Sequence, residues 1–338
     1  MKTFNAAPAA SSFLESLRDI GYSLETAVAD ILDNSITAKS TDIQLHLNVI
    51  DRTAQIAIID NGVGMSEIEL REAMRPGSKS PLESRASDDL GRFGLGLKTA
   101  SFSQCRRFTV VTRKEGELSA ARWDMDFVAS QEKDEWTLQI PEGTEIDHIP
   151  YADQIPESGT LVLWEKLDRL EDATEKTKLE DHLYESFDGV RKHVELIFHR
   201  FLDGERPYRK VKISINNASL SAHDPFNTKN LSTIMLPEEV IQVQGVPIKI
   251  QPFVLPHHKK TTAADWAKYG GDAGYLKNQG FYVYRAGRLI IHGTWFRLAK
   301  QAELTKLSRV RVDMPNELDH LWKIDVKKAS AQPPLVVR

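Results

Sequence analysis

The segment DDLGRFGLGLKTASFSQC, residues 88–105, contains three closely spaced glycines, Gly91, Gly94 and Gly96, followed by Lys98. Glycines at this spacing allow backbone N–H groups to face an anion, and a helix that begins directly after them favours negative charge at its first turn. The spacing G-x-x-G-x-G differs from both a Walker A loop and a Rossmann fingerprint. We therefore predict an anion-binding loop of another type.

Two upstream segments contain polar residues that could complete such a site. Asp30 and Asn34 are four residues apart in ETAVADILDNSITA, so a helix would present both on one face. Asp60 ends the strand-like segment TAQIAIID and precedes a turn that contains Gly62 and Gly64. Each pattern alone is common in ordinary helices and turns. Their combination in one chain indicates a ligand-binding site much more specifically.

Hydrophobic periodicity predicts the elements that must position these residues. A helix in two pieces, interrupted at Gly21 and capped by Ser23, is expected over residues 11–40. The polar segment 75–89, with Pro, Gly and Ser, predicts a long loop. Further helices are expected at 66–75, 96–105 and 177–202, and strands at 42–50, 53–60, 107–114, 121–128 and 158–168.

The sequence changes character after residue 209. The segments RKVKISINN, VPIKIQPFVL, GFYVYRAGRLII and WKIDVKKA are strand-like and separated by turns, with one helix predicted at 298–308. The segment DGERPY, residues 203–208, ends the preceding helical pattern. We therefore predict an α+β protein with two domains, residues 1–204 and 205–338.

The composition suits a globular chain, with 27% charged and 41% hydrophobic residues among 338. No apolar run approaches the roughly 20 residues that cross a bilayer, and the N-terminal segment lacks the apolar core of a signal peptide. Cys105 is the only cysteine, which excludes intramolecular disulfides and cysteine-rich zinc sites. We expect a cytoplasmic location and no membrane association.

Charge is unevenly distributed between the halves. Residues 1–204 carry 23 Lys and Arg against 37 Asp and Glu, a net charge of −14, whereas residues 205–338 carry 21 against 11, a net charge of +10. Two interpretations stay open from sequence. The halves attract each other, or the second half presents a basic surface to nucleic acid.

Taken together and in order, these motifs resemble those of the GHKL superfamily of ATPases, which includes gyrase B subunits, MutL, the large heat-shock chaperones, histidine kinases and MORC proteins. The resemblance covers residues 10–200 and is carried by ETAVADILDNSITA, IIDNGVGM, the glycine segment and SGTLVLWEKL. The glycine segment and its flanks are most similar to MORC proteins and their bacterial relatives. The resemblance implies a Bergerat-type α/β sandwich ATPase domain followed by a ribosomal-S5-like transducer domain.

Carried over residue by residue, the resemblance implies a site for ATP and Mg²⁺. Asn34 would hold Mg²⁺, Asp60 would accept the adenine amino group, and Thr160 would lie near both Asp60 and the adenine. Asp30 stands where many members have the glutamate that activates water, with Asp33 as its nearby rival. Further binding residues implied by the same motifs are Ala38, Gly62, Gly64, Met65, Gly91, Arg92, Phe93, Gly94, Leu95, Gly96, Leu97 and Lys98.

Two observations extend the resemblance to the second half and to the branch of the superfamily. The segment WKIDVKKA resembles the transducer segment whose lysine returns to the γ-phosphate, so Lys327 or Lys328 is the expected ATP sensor, counted with Asp30 among the catalytic residues. His182 and His193 follow the nucleotide motifs, in the wrong order for a phosphoacceptor, and are expected to be ordinary surface or core histidines.

The resemblance implies an ATPase whose ATP-bound state closes a lid, forms a homodimer and acts on DNA or on a DNA-associated partner, for example in clamping or defence. Two other functions stay open. One is a protein chaperone of the heat-shock type, and the other is a nucleotide-sensing kinase.

Overall fold

The computed structural model describes residues 3, 8–19, 21–50, 53–77, 90, 96–132, 135–172 and 179–322. Within these residues the chain divides into two compact units. The first unit comprises the described residues up to 77, 96–193 and 211–220, and the second comprises residue 90, 194–210 and 221–322. The two units alternate along the chain. The division into domains at residues 204 and 205 stays a prediction.

The described helices and strands follow the predicted order closely in the first 170 residues. The helices are α1 Ala10–Arg18, α2 Leu24–Thr37, α3 Glu67–Met74, α4 Gly96–Gln104, α5 Met125–Ser130, α6 Thr144–Asp147, α7 Asp168–Asp172, α8 Leu179–Ile197, α9 His199–Asp203, α10 Ala263–Gly270, α11 Gly274–Lys277 and α12 Asp319–Trp322. The strands are β1 Asp42–Ile50, β2 Thr53–Asp60, β3 Arg107–Lys114, β4 Glu117–Asp124, β5 Gly159–Glu165, β6 Lys212–Ile215, β7 Ala218–Ser219, β8 Ile234–Met235, β9 Glu239–Val243, β10 Val246–Val254, β11 Gly280–Arg285, β12 Arg288–Thr294 and β13 Ser308–Met314.

The first unit is built on a sheet whose strands follow the order β4-β3-β5-β2-β1-β6-β7. Neighbouring strands are antiparallel except β1 and β6, which are parallel. Because β2 and β5 are neighbours and antiparallel, the last residue of β2 and the first residues of β5 lie at the same edge of the sheet. This edge carries most of the predicted adenine-side residues.

Both faces of this sheet are covered, as the runs of buried residues in its strands require. On one face, Ala57 and Ile59 belong to a buried cluster with Ile146 and Ile149 from the segment that follows β4. On the other face, α4 lies over β3 and β5: Phe102 packs edge-on against Phe108 at a centroid distance of 5.1 Å. Alternate residues of each strand therefore enter two separate parts of the core.

The helical layer fixes the position of α2. This helix begins after Gly21, which has a φ of +83°, and Ser23 and Thr26 form a capping box at its start, as the sequence predicts for Ser23. α2 packs against α4, and α1 packs against α4 as well. The Trp164 indole donates a hydrogen bond of 2.9 Å to the Ser101 hydroxyl, which ties α4 to β5.

The second unit contains a mixed sheet with the strand order β12-β11-β13-β10-β8, in which β9 also pairs with β10. β11 and β13 are parallel, and the predicted hairpin in GFYVYRAGRLII is confirmed as β11 and β12. A buried apolar cluster that includes Val283, Ile290, Val312 and Trp322 forms its core. Among the helices of the described residues, none combines the length and the apolar character that crossing a membrane demands.

Two predicted elements are wrong in part. Residues 121–128 do not form one strand, because β4 ends at Asp124 and α5 follows. The Asp124 carboxylate accepts hydrogen bonds from the backbone N–H groups of Asp126 and Phe127, so it caps the new helix. In the segment 177–202, the described residues form two helices, because α8 ends at Ile197 and α9 begins at His199.

The helix predicted at residues 298–308 is wrong. A single 3-10 turn forms at Glu303–Thr305, and β13 begins at Ser308. The Thr305 hydroxyl donates a hydrogen bond of 2.6 Å to the Gln279 side chain, which also accepts one from the Trp295 indole at 3.1 Å. These tertiary contacts outweigh the helical propensity of the segment.

Candidate functional site

α2 carries the first two candidate residues on one face. Asp30 is buried, with a relative exposure of 3%, whereas Asn34 one turn later is exposed. The rival carboxylate of Asp33 is also buried, so burial alone does not decide between the two acids. The Asn34 amide oxygen is a suitable ligand for Mg²⁺ from an exposed position, with nucleotide phosphates and water as the remaining ligands. No group of three His, Cys, Asp or Glu side chains suited to a metal occurs among the described residues.

Asp60 is the last residue of β2 and is buried, with a relative exposure of 6%. The Ser35 hydroxyl donates to its Oδ2 at 2.7 Å, and the Gly62 backbone N–H donates to its Oδ1 at 2.8 Å. Burial raises the pKa of Asp60, while hydrogen bonds from Ser35, Gly62, Ser40 and the Thr160 backbone lower it. Within the described part of the chain, no basic side chain forms an ion pair with this carboxylate. Asp60 is therefore an oriented acceptor with no counter-charge among the described residues.

A row of polar residues crosses three adjacent strands beside Asp60. Asp60 pairs with Thr160 across β2 and β5, and Thr160 pairs with Thr112 across β5 and β3. The Thr112 hydroxyl donates to the Gly159 carbonyl at 3.0 Å and lies 3.2 Å from the Thr160 hydroxyl. It also accepts a hydrogen bond of 2.8 Å from the Met65 backbone N–H. The turn after β2 is thereby fixed to the sheet at the predicted adenine end.

Two glycines at this edge allow backbone segments to touch. Gly159 has a φ of +150°, and a Cβ there would lie 2.0 Å from the Asp60 carbonyl oxygen. Gly64 has a φ of +65°, and a Cβ there would lie 2.0 Å from the Arg113 carbonyl oxygen. Neither position accommodates a side chain without displacement of the strand beside it.

The turn after β2 also contacts the end of α2. The Val63 backbone N–H donates to the Ala38 carbonyl at 3.0 Å, and a Cβ at Gly62 would lie 2.8 Å from the same oxygen. α2 ends here with Lys39 in the left-handed region, at a φ of +68°. Ala38, Gly62, Gly64 and Met65 therefore lie in one compact turn region next to Asp60.

α4 begins at Gly96, beside the buried carboxylate of α2. A Cβ at Gly96 would lie 3.5 Å from Asp30 Oδ2, so the first turn of α4 faces Asp30. Leu97 is half-buried, and Lys98 is buried with its ammonium group donating to the Ala73 carbonyl in α3 at 2.8 Å. The first turn of a helix favours an anion, which agrees with the predicted place of the phosphates.

Seven candidate residues lie outside the described residues, five in the glycine segment and two near the C-terminus: Gly91, Arg92, Phe93, Gly94, Leu95, Lys327 and Lys328. The roles given to them stay predictions. The structure brings Asn34, Ala38, Asp60, Gly62, Gly64, Met65 and Thr160 together around the end of β2 and the end of α2, and it brings Asp30 and Gly96 together nearby.

The sequence analysis missed Ser35, Thr112 and Gly159. Ser35 directly follows the Asp33-Asn34 pair in α2. Only this position could have indicated that its hydroxyl group contacts Asp60 of β2. Thr112 had no local signal, because its importance depends on which strands are neighbours and in which register. Gly159 stands beside Thr160 in the segment SGTLVLWEKL, but its close approach to the Asp60 carbonyl depends on the pairing of β5 with β2.

Comparison with known proteins gives an independent assignment. Residues 22–160 match the family of histidine kinase-, DNA gyrase B- and HSP90-like ATPases. The chain is 24% identical over 211 residues to the chaperone protein HtpG of Nocardia farcinica (strain IFM 10152), an alignment that covers 58% of this chain and 30% of HtpG. It is 28% identical over 109 residues to the ATPase morc-1 of Caenorhabditis elegans, covering 32% of this chain and 12% of that protein.

A second HtpG, from Chromobacterium violaceum, is 35% identical over 105 residues, which cover 27% of this chain and 16% of the relative. The chain thus aligns with less than a third of the length of each of these relatives. The family match spans the positions of Asp30, Asp60 and Thr160. Residues 22–160 are thus similar to the GHKL ATPases, and MORC ATPases and HtpG chaperones are distant relatives of the chain.

Proposed function

We propose that the chain binds ATP with Mg²⁺ at the edge formed by the ends of α2 and β2 and hydrolyses it there. The observation that carries the proposal is Asp60, a buried carboxylate held by Ser35 and Gly62 without a counter-charge among the described residues. A buried acceptor in a fixed orientation is costly unless a ligand uses it. The family match of residues 22–160 agrees with a nucleotide as that ligand.

The chemistry of Asp60 favours adenine. An ionised carboxylate only accepts hydrogen bonds, so it pairs with the adenine amino group and repels the carbonyl oxygen that guanine presents at the same position. Thr160 and Thr112, in register beside Asp60, supply hydroxyl groups that can donate to or accept from the base. We therefore expect ATP to be preferred over GTP.

The phosphate end of the site would lie between Asn34 and the start of α4. Bound Mg²⁺ would neutralise phosphate charge and polarise the γ-phosphoryl group. Asn34 would supply the amide oxygen for the metal, and the first turn of α4 would face the phosphates. The glycine segment that precedes Gly96 would close over them as a lid.

Asp30 would act as the general base in hydrolysis. The oxygen of a water molecule attacks the γ-phosphorus, the bond from phosphorus to the β,γ-bridging oxygen breaks, and ADP leaves with the electron pair. The proton of the attacking water passes to the Asp30 carboxylate. The position of Asp30 beside Gly96, 3.5 Å from where a Cβ would lie, supports this role over that of Asp33.

The metal-binding half of the proposal is tested with Asn34→Ala. The variant loses the protein's oxygen ligand for Mg²⁺, so we expect Mg·ATP affinity to fall at least about 100-fold with little change in thermal unfolding. Asn48→Ala, a half-buried asparagine of β1, is the matched control and should bind like the parent protein. Isothermal titration with and without Mg²⁺ measures both. Parent-like Mg·ATP affinity in Asn34→Ala would contradict the assignment.

We also propose that ATP binding is coupled to the second unit and to dimerisation. The mixed sheet with the hairpin β11–β12 suits the S5-like transducer that the sequence resemblance implies, and Lys327 or Lys328 would contact the γ-phosphate. Alanine at the correct lysine should lower turnover and ATP-driven dimerisation while ADP affinity hardly changes. Sedimentation with a non-hydrolysable ATP analogue is the measurement. If neither single variant nor the double variant separates ATP from ADP behaviour, the coupling is wrong.

The partner we propose for the second unit is DNA. His257, His258, Lys259 and Lys260 are exposed in succession, and desolvation together with the charges of His258, Lys259, Lys306 and Lys260 lowers the pKa of His257. We name His257, His258, Lys259, Lys260 and Lys306 the basic cluster. No carboxylate of the described residues forms an ion pair with Lys259 or Lys260, so both remain available for phosphate groups. Trp266 lies beside the cluster, 5.7 Å from the His258 ring.

Charge reversal in the basic cluster tests this partner. The double variant Lys259→Glu with Lys260→Glu should bind a labelled DNA duplex more weakly. The slope of log affinity against log salt concentration should also become less steep, by about the amount expected for two lost phosphate contacts. Lys249→Glu, an exposed lysine of β10 that pairs with Glu238, is the matched control in the same unit. Basal ATPase activity should be unchanged in both. Equal duplex binding by the cluster variant and the control would refute DNA binding at this cluster.

A protein chaperone is the second candidate, because a specific surface favours it. Leu231, Ile234, Met235, Leu236 and Val240 are exposed in and around β8 and β9, an unusual run of apolar side chains. The HtpG relatives carry the name chaperone. Suppression of aggregation of a thermally unfolding test protein, lost in Ile234→Ser with Met235→Ser, would favour this candidate over DNA. No suppression by the parent protein would exclude it.

A further inference from the structure

Tyr22 contacts the carboxylate that we assign as general base. It lies between Gly21 and the N-cap of α2, and it is buried despite its place in a short connection. Its hydroxyl donates to Asp30 Oδ2 at 2.9 Å. The positive φ of Gly21, +83°, turns the chain just before Tyr22, and the Gln104 amide donates to the Tyr22 carbonyl at 3.3 Å. Tyr22 is thus held by α2 through its hydroxyl group and by α4 through its backbone carbonyl.

This hydrogen bond joins residues separated by two helical turns. Tyr22 precedes α2, and Asp30 lies in its second turn, so the phenol reaches along the helix to the carboxylate. The same Oδ2 atom is the nearest heavy atom to a Cβ at Gly96, at 3.5 Å. Phenol, carboxylate and the first residue of α4 therefore form one continuous series of contacts within the first unit.

The orientation of an aspartate carboxylate depends on rotation about its Cβ–Cγ bond, which is a broad, soft torsion. A hydrogen bond at 2.9 Å from a buried donor selects one rotation, because other rotations break the bond in a site with little water. A catalytic base needs that precision, since proton transfer requires hydrogen-bond distance to the attacking water. A phenol does this without competing for the proton, because its own pKa lies near 10 in water.

We propose that Tyr22 is a positioning residue for ATP hydrolysis, which it serves by fixing the Asp30 carboxylate toward the attacking water. The inference rests on the proposed function. During the reaction Tyr22 keeps its proton and its hydrogen bond, while the water proton moves to the carboxylate and ADP leaves. In this role Tyr22 acts through Asp30, so its effect falls on turnover and not on binding.

A double-mutant cycle tests the inference. Tyr22→Phe keeps the ring in its buried place and removes only the hydroxyl. We expect kcat to fall about 10-fold, with ATP affinity and KM within about two-fold of the parent protein. Asp30→Asn should lower kcat about 100-fold or more with ATP affinity preserved. In the Asp30→Asn background, Tyr22→Phe should have no further effect, because the phenol acts only through the carboxylate.

Tyr184→Phe is the matched control, since Tyr184 is an exposed tyrosine of α8 in the same unit, and its kcat should equal that of the parent. An unchanged kcat in Tyr22→Phe would overturn the inference. Equal losses from Tyr22→Phe in the parent and in Asp30→Asn would also overturn it, because they would indicate a role in packing alone. Parent-like kcat in Asp30→Asn would instead refute Asp30 as the base, a failure of the proposed function that the cycle identifies separately.

Discussion

Asp60 in the first unit and Arg200 in the second are both almost fully buried, and their partners differ. Asp60 accepts hydrogen bonds from Ser35 and Gly62 and forms no ion pair within the described residues. Arg200 forms an ion pair with Asp313 and lies over the Tyr284 ring, 3.8 Å from its centroid. The Arg200 charge is thus neutralised by a carboxylate of its own unit, whereas among the described residues Asp60 has no counter-charge and is available to a ligand.

Arg285, another buried arginine of the second unit, follows the same pattern as Arg200, because it donates to both carboxylate oxygens of Asp319, at 2.8 and 2.7 Å. Such pairs give a fold its specificity and contribute little net stability. The comparison teaches that buried charge alone does not indicate a ligand site. Asp60 differs from Arg200 in being an acid at a strand end that neutral groups hold in orientation.

The largest effect we expect concerns the backbone contact that supports Asp60. Gly159→Ala introduces a Cβ 2.0 Å from the Asp60 carbonyl oxygen at a φ of +150°, so strand β5 must move away from β2. We expect the free energy of unfolding to fall by about 3–5 kcal/mol, measured by urea unfolding.

Gly116→Ala is the control for this variant. Its φ of +86° is also positive, but a Cβ there would meet nothing within 4 Å, so it should cost only about 1 kcal/mol. Equal losses in the two variants would show that conformational strain, and not the contact between β5 and Asp60, determines the effect.

The second prediction concerns the ion pair of the second unit. Asp313→Asn leaves buried Arg200 with only the more exposed Glu205, 3.5 Å away, as an ion-pair partner, so we expect the free energy of unfolding to fall by about 2 kcal/mol while ATP affinity stays unchanged. Paired urea unfolding and ATP titration measure the two properties. A variant as stable as the parent protein would contradict the view that this charge is neutralised by Asp313.

The third prediction is a pH dependence that arises from two buried histidines of the second unit. Burial lowers the pKa of both His199 and His223 to about 4. In the unfolded chain both histidines are protonated below about pH 6.5, whereas in the folded unit they are protonated only below about pH 4. The free energy of unfolding therefore falls as pH decreases through this window. We expect a loss of about 1–3 kcal/mol per histidine, with little change above pH 7.

His199→Asn with His223→Asn should flatten the dependence of the unfolding free energy on pH between 4 and 6.5. An exposed histidine, His258, provides the control, because His258→Asn should leave the slope as it is in the parent protein. An undiminished slope in the double variant would mean that other groups produce the acid sensitivity.

Local sequence patterns were sufficient to predict the positions of candidate residues that belong to a single helix or strand. The four-residue spacing of Asp30 and Asn34, the Ser23 cap and the position of Asp60 at a strand end all follow from helix and strand periods. The pairing of Thr112 with Thr160, and of Thr160 with Asp60, depends on strand order and register, which no short segment encodes.

The contacts of long side chains likewise could not be predicted from the sequence. The ammonium group of Lys98 donates to the Ala73 carbonyl, a contact that depends on the packing of α3 near α4, and the expected role of Lys98 in nucleotide binding stays a prediction. Tyr22 was not recognised, because its hydrogen bond to Asp30 joins residues that are eight positions apart in sequence. The failed helix at 298–308 has the same origin, since Gln279 lies far away in sequence.

The central claim is that Asp60 is kept buried and oriented for adenine at a cost to stability. Burial raises the pKa of Asp60, so the folded state disfavours its ionised form, and this cost grows as pH rises above the usual aspartate range. An asparagine can still accept the hydrogen bond from Gly62 and carries no charge to desolvate, although its amide group offers a donor where adenine needs an acceptor.

The most direct test is Asp60→Asn, with thermal unfolding and titration with ATP and GTP carried out on the same preparation at pH 7.5. We predict an unfolding temperature equal to or above that of the parent protein, together with ATP affinity lower by about 10- to 100-fold and a much smaller change for GTP. A fall of several degrees in unfolding temperature with ATP affinity intact would contradict the account, because Asp60 would then be a structural residue of the turn at Gly62.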